Sequence, residues 1–289
     1  MNVLIGHDLI PIEIPYFGPD RISVEFFFVL SGYLFFHSLE KYKDMPLGRA
    51  ALEMTVSKIK PLFIPMVIGV ISNIILNHIA NFPPYKIFRY LWYIPAMLIA
   101  FLLYTVLRVL IKNEKTFWAT TIGICLFATL LRFSGPEVLF FFDYGRSIAS
   151  VSLGLLLAKA SSKYSAKHKW LCWILLIPVL VATFATVFYG LAENSRAYEA
   201  LLDLVLFPLL IFITFKIDFN MPVFNYLGAL SFGIYAYQCP ARLIEYIGIG
   251  DRWTPFCIII VLAVTDDLIR RVYRYIKQKK QAKIKEVTQ

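Results

Sequence analysis

In the stretch RISVEFFFVLSGYLFF, residues 21–36, the Glu25 carboxylate and the hydroxyls of Ser31 and Tyr33 are set inside an apolar run. Arg21 and Glu25 stand four residues apart, one above the other on a helix, and Ser31-Gly32-Tyr33 interrupts the hydrophobes that follow. Such groups are costly at membrane depth unless they face a protein interior or a water-filled cavity, so each is a functional hypothesis. Arg21 and Glu25 could hold a polar substrate, and Ser31 could hydrogen-bond to it. The alternative is packing, because a Ser-Gly notch lets two membrane helices approach closely. A second stripe, Ser231, Tyr235, Gln238 and Arg242, falls at i, i+4, i+7 and i+11 on one helix face. Asp143 with Arg146 (i, i+3), Asp203 and Asn77 are further polar residues in apolar segments. Counted along their spans, these groups gather on the side of the membrane where Arg21 and Glu25 lie. Private ion pairs would explain any one of them; their convergence favours a shared wet cavity.

The elements that must position these side chains follow from composition. Of 289 residues, 59% are hydrophobic and 16% aromatic, only 17% are charged, and the mean hydropathy is +0.67. The charges lie between apolar runs of roughly 20 residues, the length of a bilayer-spanning helix. A water-soluble domain would need one-sided, amphipathic helices instead. The chain therefore reads as an all-α polytopic membrane protein, one domain over residues 1–289 with about nine spans. They are placed at 22–37, 58–79, 87–111, 117–132, 138–158, 169–190, 198–216, 224–248 and 253–273. Residues 274–289 form a basic tail.

Lysine and arginine set the orientation. Of 29 such residues, 21 fall in one set of alternate loops and the tail, six in the other set, and Arg146 and Arg242 lie inside spans. This puts the C-terminus in the cytoplasm and the residues before Ile22 outside, in a membrane expected to be a bacterial cytoplasmic membrane. Basic loops against anionic lipid account for the net charge of +10 without a nucleic-acid partner. The four cysteines, Cys125, Cys172, Cys239 and Cys257, all fall in apolar spans with no CxxC or Cys/His spacing, so neither a disulfide framework nor a metal site is indicated. The opening MNVLIGHDLIPI reads as the outer tail of a helix that begins upstream, with 1–21 its remnant and following loop; a nine-span protein with an outside N-terminus is the alternative, which the charge rule permits.

Four segments together resemble the acyltransferase 3 family of integral-membrane O-acyltransferases. VEFFFVLSGYLF at 24–35 is similar to the family's second-helix signature, and SKIKPLFIP at 57–65 to the basic, proline-ending start of its third helix. YLWYIPAML at 90–98 and SFGIYAYQCP at 231–240 resemble two later helix motifs, in matching order. The resemblance implies a ten-helix bundle that takes an acyl group, commonly acetyl, from cytoplasmic acyl-CoA and passes it to a hydroxyl of an envelope glycan or lipid-linked sugar. No bound cofactor is implied; acyl-CoA is the donor substrate. His7 matches the family's essential histidine, the last residue of an Arg-x10-His pattern whose arginine would precede Met1. A neutral imidazole there would take the proton of the attacking hydroxyl. Gln238 stands where the family has a histidine, and it can donate and accept hydrogen bonds but cannot relay a proton. Pro61 replaces a common second arginine of the third-helix motif.

These readings give His7 the catalytic role. Arg21, Glu25, Ser31, Trp92, Arg146, Tyr235, Gln238 and Arg242 become the substrate-binding set, with Trp92 and its aromatic neighbours suited to sugar stacking. Lys58 and Lys60, cations at the start of a span, would meet the donor's phosphates, although inside-facing anchoring explains them equally. A secondary transporter or glycan flippase, or a non-catalytic paralogue whose polar groups only hold helices together, are the alternatives. A transporter would carry inverted repeats with paired broken helices, and no such repeat is seen in the sequence.

Overall fold

The computed structural model describes residues 21–79, 92–134, 139–163, 169–193, 196–217, 222, 226, 230, 233–235, 237–248 and 253–287. Among these residues the regular structure is helical, with no strand. The elements are α1 (Arg21–Leu39), α2 (Leu47–Ile59), α3 (Phe63–Ile79), α4 (Tyr93–Leu110), α5 (Glu114–Ser134), α6 (Leu139–Lys163), α7 (Lys169–Glu193), α8 (Arg196–Leu201), α9 (Phe207–Ile217), α10 (Gln238–Ile247) and α11 (Thr254–Val287). Among the described residues three stretches are long and apolar enough to cross a membrane by themselves, Tyr93–Leu110, Lys169–Val187 and Tyr198–Ile217. A fourth is added if α2 and α3 count as one interrupted span. The expectation of nine spans is thus met only in part.

Several elements differ from the sequence reading for identifiable reasons. The span placed at 58–79 begins at Phe63, because Lys60–Leu62 forms a 3-10 turn around Pro61 and α2 precedes it as a separate helix. Pro61 lacks an N–H for the α-helical ladder, which breaks the run. The helix at the span placed at 117–132 starts before it and ends after it, Glu114–Ser134. α11 runs 34 residues, about 51 Å, so the basic tail continues the last helix through Val287 rather than leaving it at 273. Between α8 and α9 the chain opens into a π-helical turn, Leu202–Leu206, in which the Phe207 N–H reaches back to the Leu202 carbonyl. Pro208 has no N–H to give and its ring would clash with the carbonyl one turn earlier, so a widened turn ahead of it relieves both problems.

The contacts divide the chain into two compact units. One holds the described residues of Glu13–Phe63 and Leu91–Phe219, the other those of Ile64–Tyr90 and Asn220–Gln289. In the first, α6 is the hub, packing on α1, α5 and α4, while α7 packs on α9 and α2 on α4. The α1–α6 crossing is backbone on backbone. A Cβ on Gly32 would lie 2.9 Å from the Val151 carbonyl carbon, and one on Gly154 would lie 2.7 Å from the Tyr33 nitrogen. This is the small-residue contact that membrane helices use where lipid gives no hydrophobic drive to associate. Val29, Tyr33, Ala158 and Ile211 fill the space beside it. Large apolar side chains elsewhere point outward, Leu126, Phe127, Leu130, Trp170, Ile177 and Val181 among them. In the second unit α10 packs on α11, and Leu230, Tyr237 and Ala263 form a small core.

Polar links tie the helix ends of the first unit together. Arg108, at the end of α4, bonds to Glu40 just past the end of α1. Lys159, late in α6, meets Glu114 at the start of α5, and Lys216, at the end of α9, donates to the Ser161 carbonyl. So α1, α4, α6 and α9 run one way and α5 the other. The alternation read from the loops holds for these elements, with their lysines gathered at one end.

Candidate functional site

At the opposite end of the same unit four charged side chains meet in the interior. Glu25 comes from the second turn of α1, Arg132 from the end of α5, Arg146 from the second turn of α6 and Asp203 from the π turn. They are 0%, 9%, 2% and 3% exposed, respectively. Arg146 Nε donates to Glu25 Oε1 at 2.5 Å, Arg132 Nη2 lies 3.1 Å from the same oxygen, and that Nη2 is 2.5 Å from Asp203 Oδ2. Two carboxylates and two guanidiniums balance in formal charge. That balance is what a low-dielectric interior demands, since an uncompensated buried charge is far costlier than a paired one. Among the described residues, Glu25 Oε2 and Asp203 Oδ1 have no hydrogen-bond partner. The cluster therefore retains two buried acceptor oxygens.

Local sequence explains how each member arrives. Glu25 sits on α1 with Val24, Phe28 and Val29 buried beside it, so the packed face of the helix carries it inward. Arg146 is followed by Ser147, whose hydroxyl donates to the Ala96 carbonyl at 3.0 Å and locks α6 against α4. Its guanidinium lies 5.5 Å above the Trp92 ring, a cation–π contact on a partly buried face. Trp92 in turn leans on Phe28, which stacks on Tyr93 at 4.5 Å. Ser31 Oγ and the Tyr93 hydroxyl are hydrogen-bonded at 3.0 Å. Asp203 points inward because the π turn adds a residue to its coil and shifts the face that the preceding segment presents.

Of the sequence-derived set, Glu25, Arg146, Trp92 and Ser31 are thus brought to one region, with Asp203 joining them. Arg132, one of the six basic residues of the second loop set, bridges both carboxylates. Its position at the end of a span, facing two acids on other helices, is the signal that could have found it. Arg146 bonds to Glu25 on another helix. His7 lies outside the described residues, as do the side chains of Arg21, Asp143 and Arg242 and all of Ser231. Tyr235 and Gln238 belong to the second unit, where Gln238 is fully buried at the start of α10 and Tyr235 is partly exposed; Asn77 is buried on α3 of that unit. At the lysine-rich end, Lys58 Nζ sits 5.3 Å from both the Phe35 and Phe101 rings, which stack at 4.2 Å, and Lys60 is exposed on the 3-10 turn.

The cluster can orient polar groups, accept hydrogen bonds and fix four elements around one point. Among the described residues it holds no histidine, thiol or lysine. A family model described as an acyltransferase domain matches residues 2–265, a stretch that crosses both units. No curated protein and no solved structure matches the chain. With nine-tenths of its length under that one match and its apolar helices built to lie in a bilayer, the chain belongs to the acyltransferase 3 family, membrane enzymes that transfer acyl groups other than amino-acyl groups.

Proposed function

We propose that this protein is an O-acyltransferase that moves an acyl group, acetyl in the simplest case, from acyl-CoA to a hydroxyl of a cell-envelope glycan or glycolipid. The observation that carries the reading is the buried cluster of Glu25, Arg132, Arg146 and Asp203 in a chain of this family. Glu25 Oε2 and Asp203 Oδ1 are acceptors suited to hydroxyl donors. Trp92 offers a ring face beside them of the kind sugars stack on. The acceptor hydroxyl attacks the thioester carbonyl carbon as the neutral imidazole of His7 removes its proton. The tetrahedral intermediate then collapses with cleavage of the carbon–sulfur bond, and the departing CoA thiolate takes the proton back from the His7 imidazolium and leaves as the thiol. Arg21 and Ser31 complete the proposed acceptor site in this unit.

The donor is engaged from the cytoplasm, with Lys58 and Lys60 drawing its phosphates. The membrane is the bacterial cytoplasmic membrane and the C-terminus lies inside, in keeping with the lysine distribution. The test is mass spectrometry of envelope glycans from cells with and without the gene, paired with transfer from radiolabelled acetyl-CoA by the protein in liposomes. Loss of one O-acyl modification on deletion, restored by the wild type and not by His7→Ala, supports the proposal. A deletion that leaves every O-acyl group in place removes the glycan acceptor. Turnover undiminished in His7→Ala removes the assigned base.

A further inference from the structure

Between α5 and α6, at the lysine-rich end of the first unit, lies an open groove of about 690 Å³ that the acyl-transfer reading does not use. Its floor is apolar, made by Ala119, Ile122, Leu156 and Ala160, and its mouth carries Lys115, Lys159 and Lys163. Glu114 at the mouth is paired with Lys159 and accepts a hydrogen bond from the Trp118 indole N–H at 3.3 Å. The Lys159 ammonium lies 5.3 Å from the Trp118 ring centroid. One carboxylate against three ammoniums leaves the mouth with a net formal charge of about +2. From Lys115 to Ile122, and from Lys163 back to Leu156, is seven residues on each helix, roughly 10 Å of apolar wall below the charges. Beyond Ile122 the outward face of α5 continues with the exposed Leu126 and Leu130, so the wall opens toward the bilayer core.

We propose that this groove is a binding site for an anionic phospholipid, its phosphate among Lys115, Lys159 and Lys163 and one acyl chain along Ile122 and Leu156. A free anion would gain from the lysines but not from the floor, and a neutral lipid would gain from the floor but not from the lysines. An anionic headgroup on an acyl chain satisfies both. The tryptophan at the level of the charges is the side chain most often found at the headgroup boundary. Glu114, the one acidic side chain among the described lining residues, holds Lys159 over Trp118.

The full-length protein, reconstituted in phosphatidylcholine vesicles, tests this by fluorescence quenching with brominated phosphatidylglycerol against brominated phosphatidylcholine. Subtracting the signal of Trp118→Phe isolates Trp118. The expected result is preferential quenching of Trp118 by the anionic lipid, with Lys115→Gln/Lys163→Gln lowering that preference about tenfold. Ala160→Phe, which keeps every charge and fills the floor, should abolish the preference as well, and it serves if the lysine pair proves unstable. Equal quenching by the two lipids overturns the site. So does loss of the preference on adding millimolar inorganic phosphate or coenzyme A, which would assign the lysines to a soluble phosphate.

Discussion

The two ends of the first unit handle buried arginine in different ways. At one end Arg132 and Arg146 meet Glu25 and Asp203, every member buried, and the charges come from four separate elements. At the other end Arg108 is just as buried, 1% exposed, but its partner Glu40 is 52% exposed in its side chain. Glu40 grips the guanidinium with two bonds, 3.0 and 2.7 Å, the Ile111 carbonyl takes a third at 3.2 Å, and Phe117 lies against its face. The Arg108 site is complete and half-solvated, a clasp between helix ends. The four-charge cluster is buried throughout, and among the described residues Glu25 Oε2 and Asp203 Oδ1 have no partner. Buried ion pairs are weak evidence for stability, because well-packed hydrophobes of the same volume hold a fold together as well or better. The costlier solution stands at the end where the proposed acceptor site lies.

Breaking the buried cluster should have the largest effect. Arg132→Met leaves Glu25 and Asp203 short of a countercharge and is expected to cost about 3–5 kcal/mol, read as a fall in melting temperature in detergent. The double change Arg132→Met/Asp203→Leu should recover most of that stability while acyl transfer from acetyl-CoA stays lost. Recovery of both would make the cluster purely structural.

The two ends are joined by the α1–α6 crossing, so Gly32→Ala should disturb both together. Its Cβ meets Val151 backbone rather than a movable side chain, and about 1–3 kcal/mol is expected. A melting temperature equal to wild type would show that the helices separate there without cost. Glu40→Gln at the clasp should be milder, near 1 kcal/mol, with transfer activity kept, because water can replace much of what an exposed carboxylate supplied.

Smallest of all is the effect at Glu114, whose carboxyl is held below its ordinary value by the hydrogen bond from Lys159 and, after it, the one from Trp118. A depressed carboxylate contributes stability that is present above the unfolded-state value and lost as pH falls through the folded one. The melting difference between wild type and Glu114→Gln should therefore be positive at pH 7 and vanish as the medium is acidified past the carboxylate range. A difference that grows on acidification would contradict the pairing.

Much of this architecture is legible in the sequence, and the gaps have physical causes. Glu25, Arg146 and Asp203 stand out because a charge inside an apolar run announces itself, and their convergence followed from counting residues along spans. Arg132 hid because a charge at a span's end satisfies the orientation rule whether it faces headgroups or the interior. The Ser-Gly-Tyr notch proved to serve packing at Gly32 and hydrogen bonding at Ser31 and Tyr33, whose hydroxyl meets Ser161 at 3.1 Å. Hydropathy overran the break at Pro61 because the residues on both sides are apolar and only the missing N–H marks it. It also stopped α11 too early, since lysine-rich segments lower hydropathy without weakening helix propensity.

The π turn at Leu202–Leu206 carries a consequence for how this segment could have arisen. One residue more than a regular coil needs is stored there, and each residue of an α-helix turns the chain by about 100°. Excising a single residue between Asp203 and Pro208 would restore regular winding and swing Asp203 away from Arg132 by about that angle. The acid's meeting with its arginine is therefore a matter of reading frame along the helix, something a one-codon insertion could create and a one-codon deletion undo, with no change to either side chain.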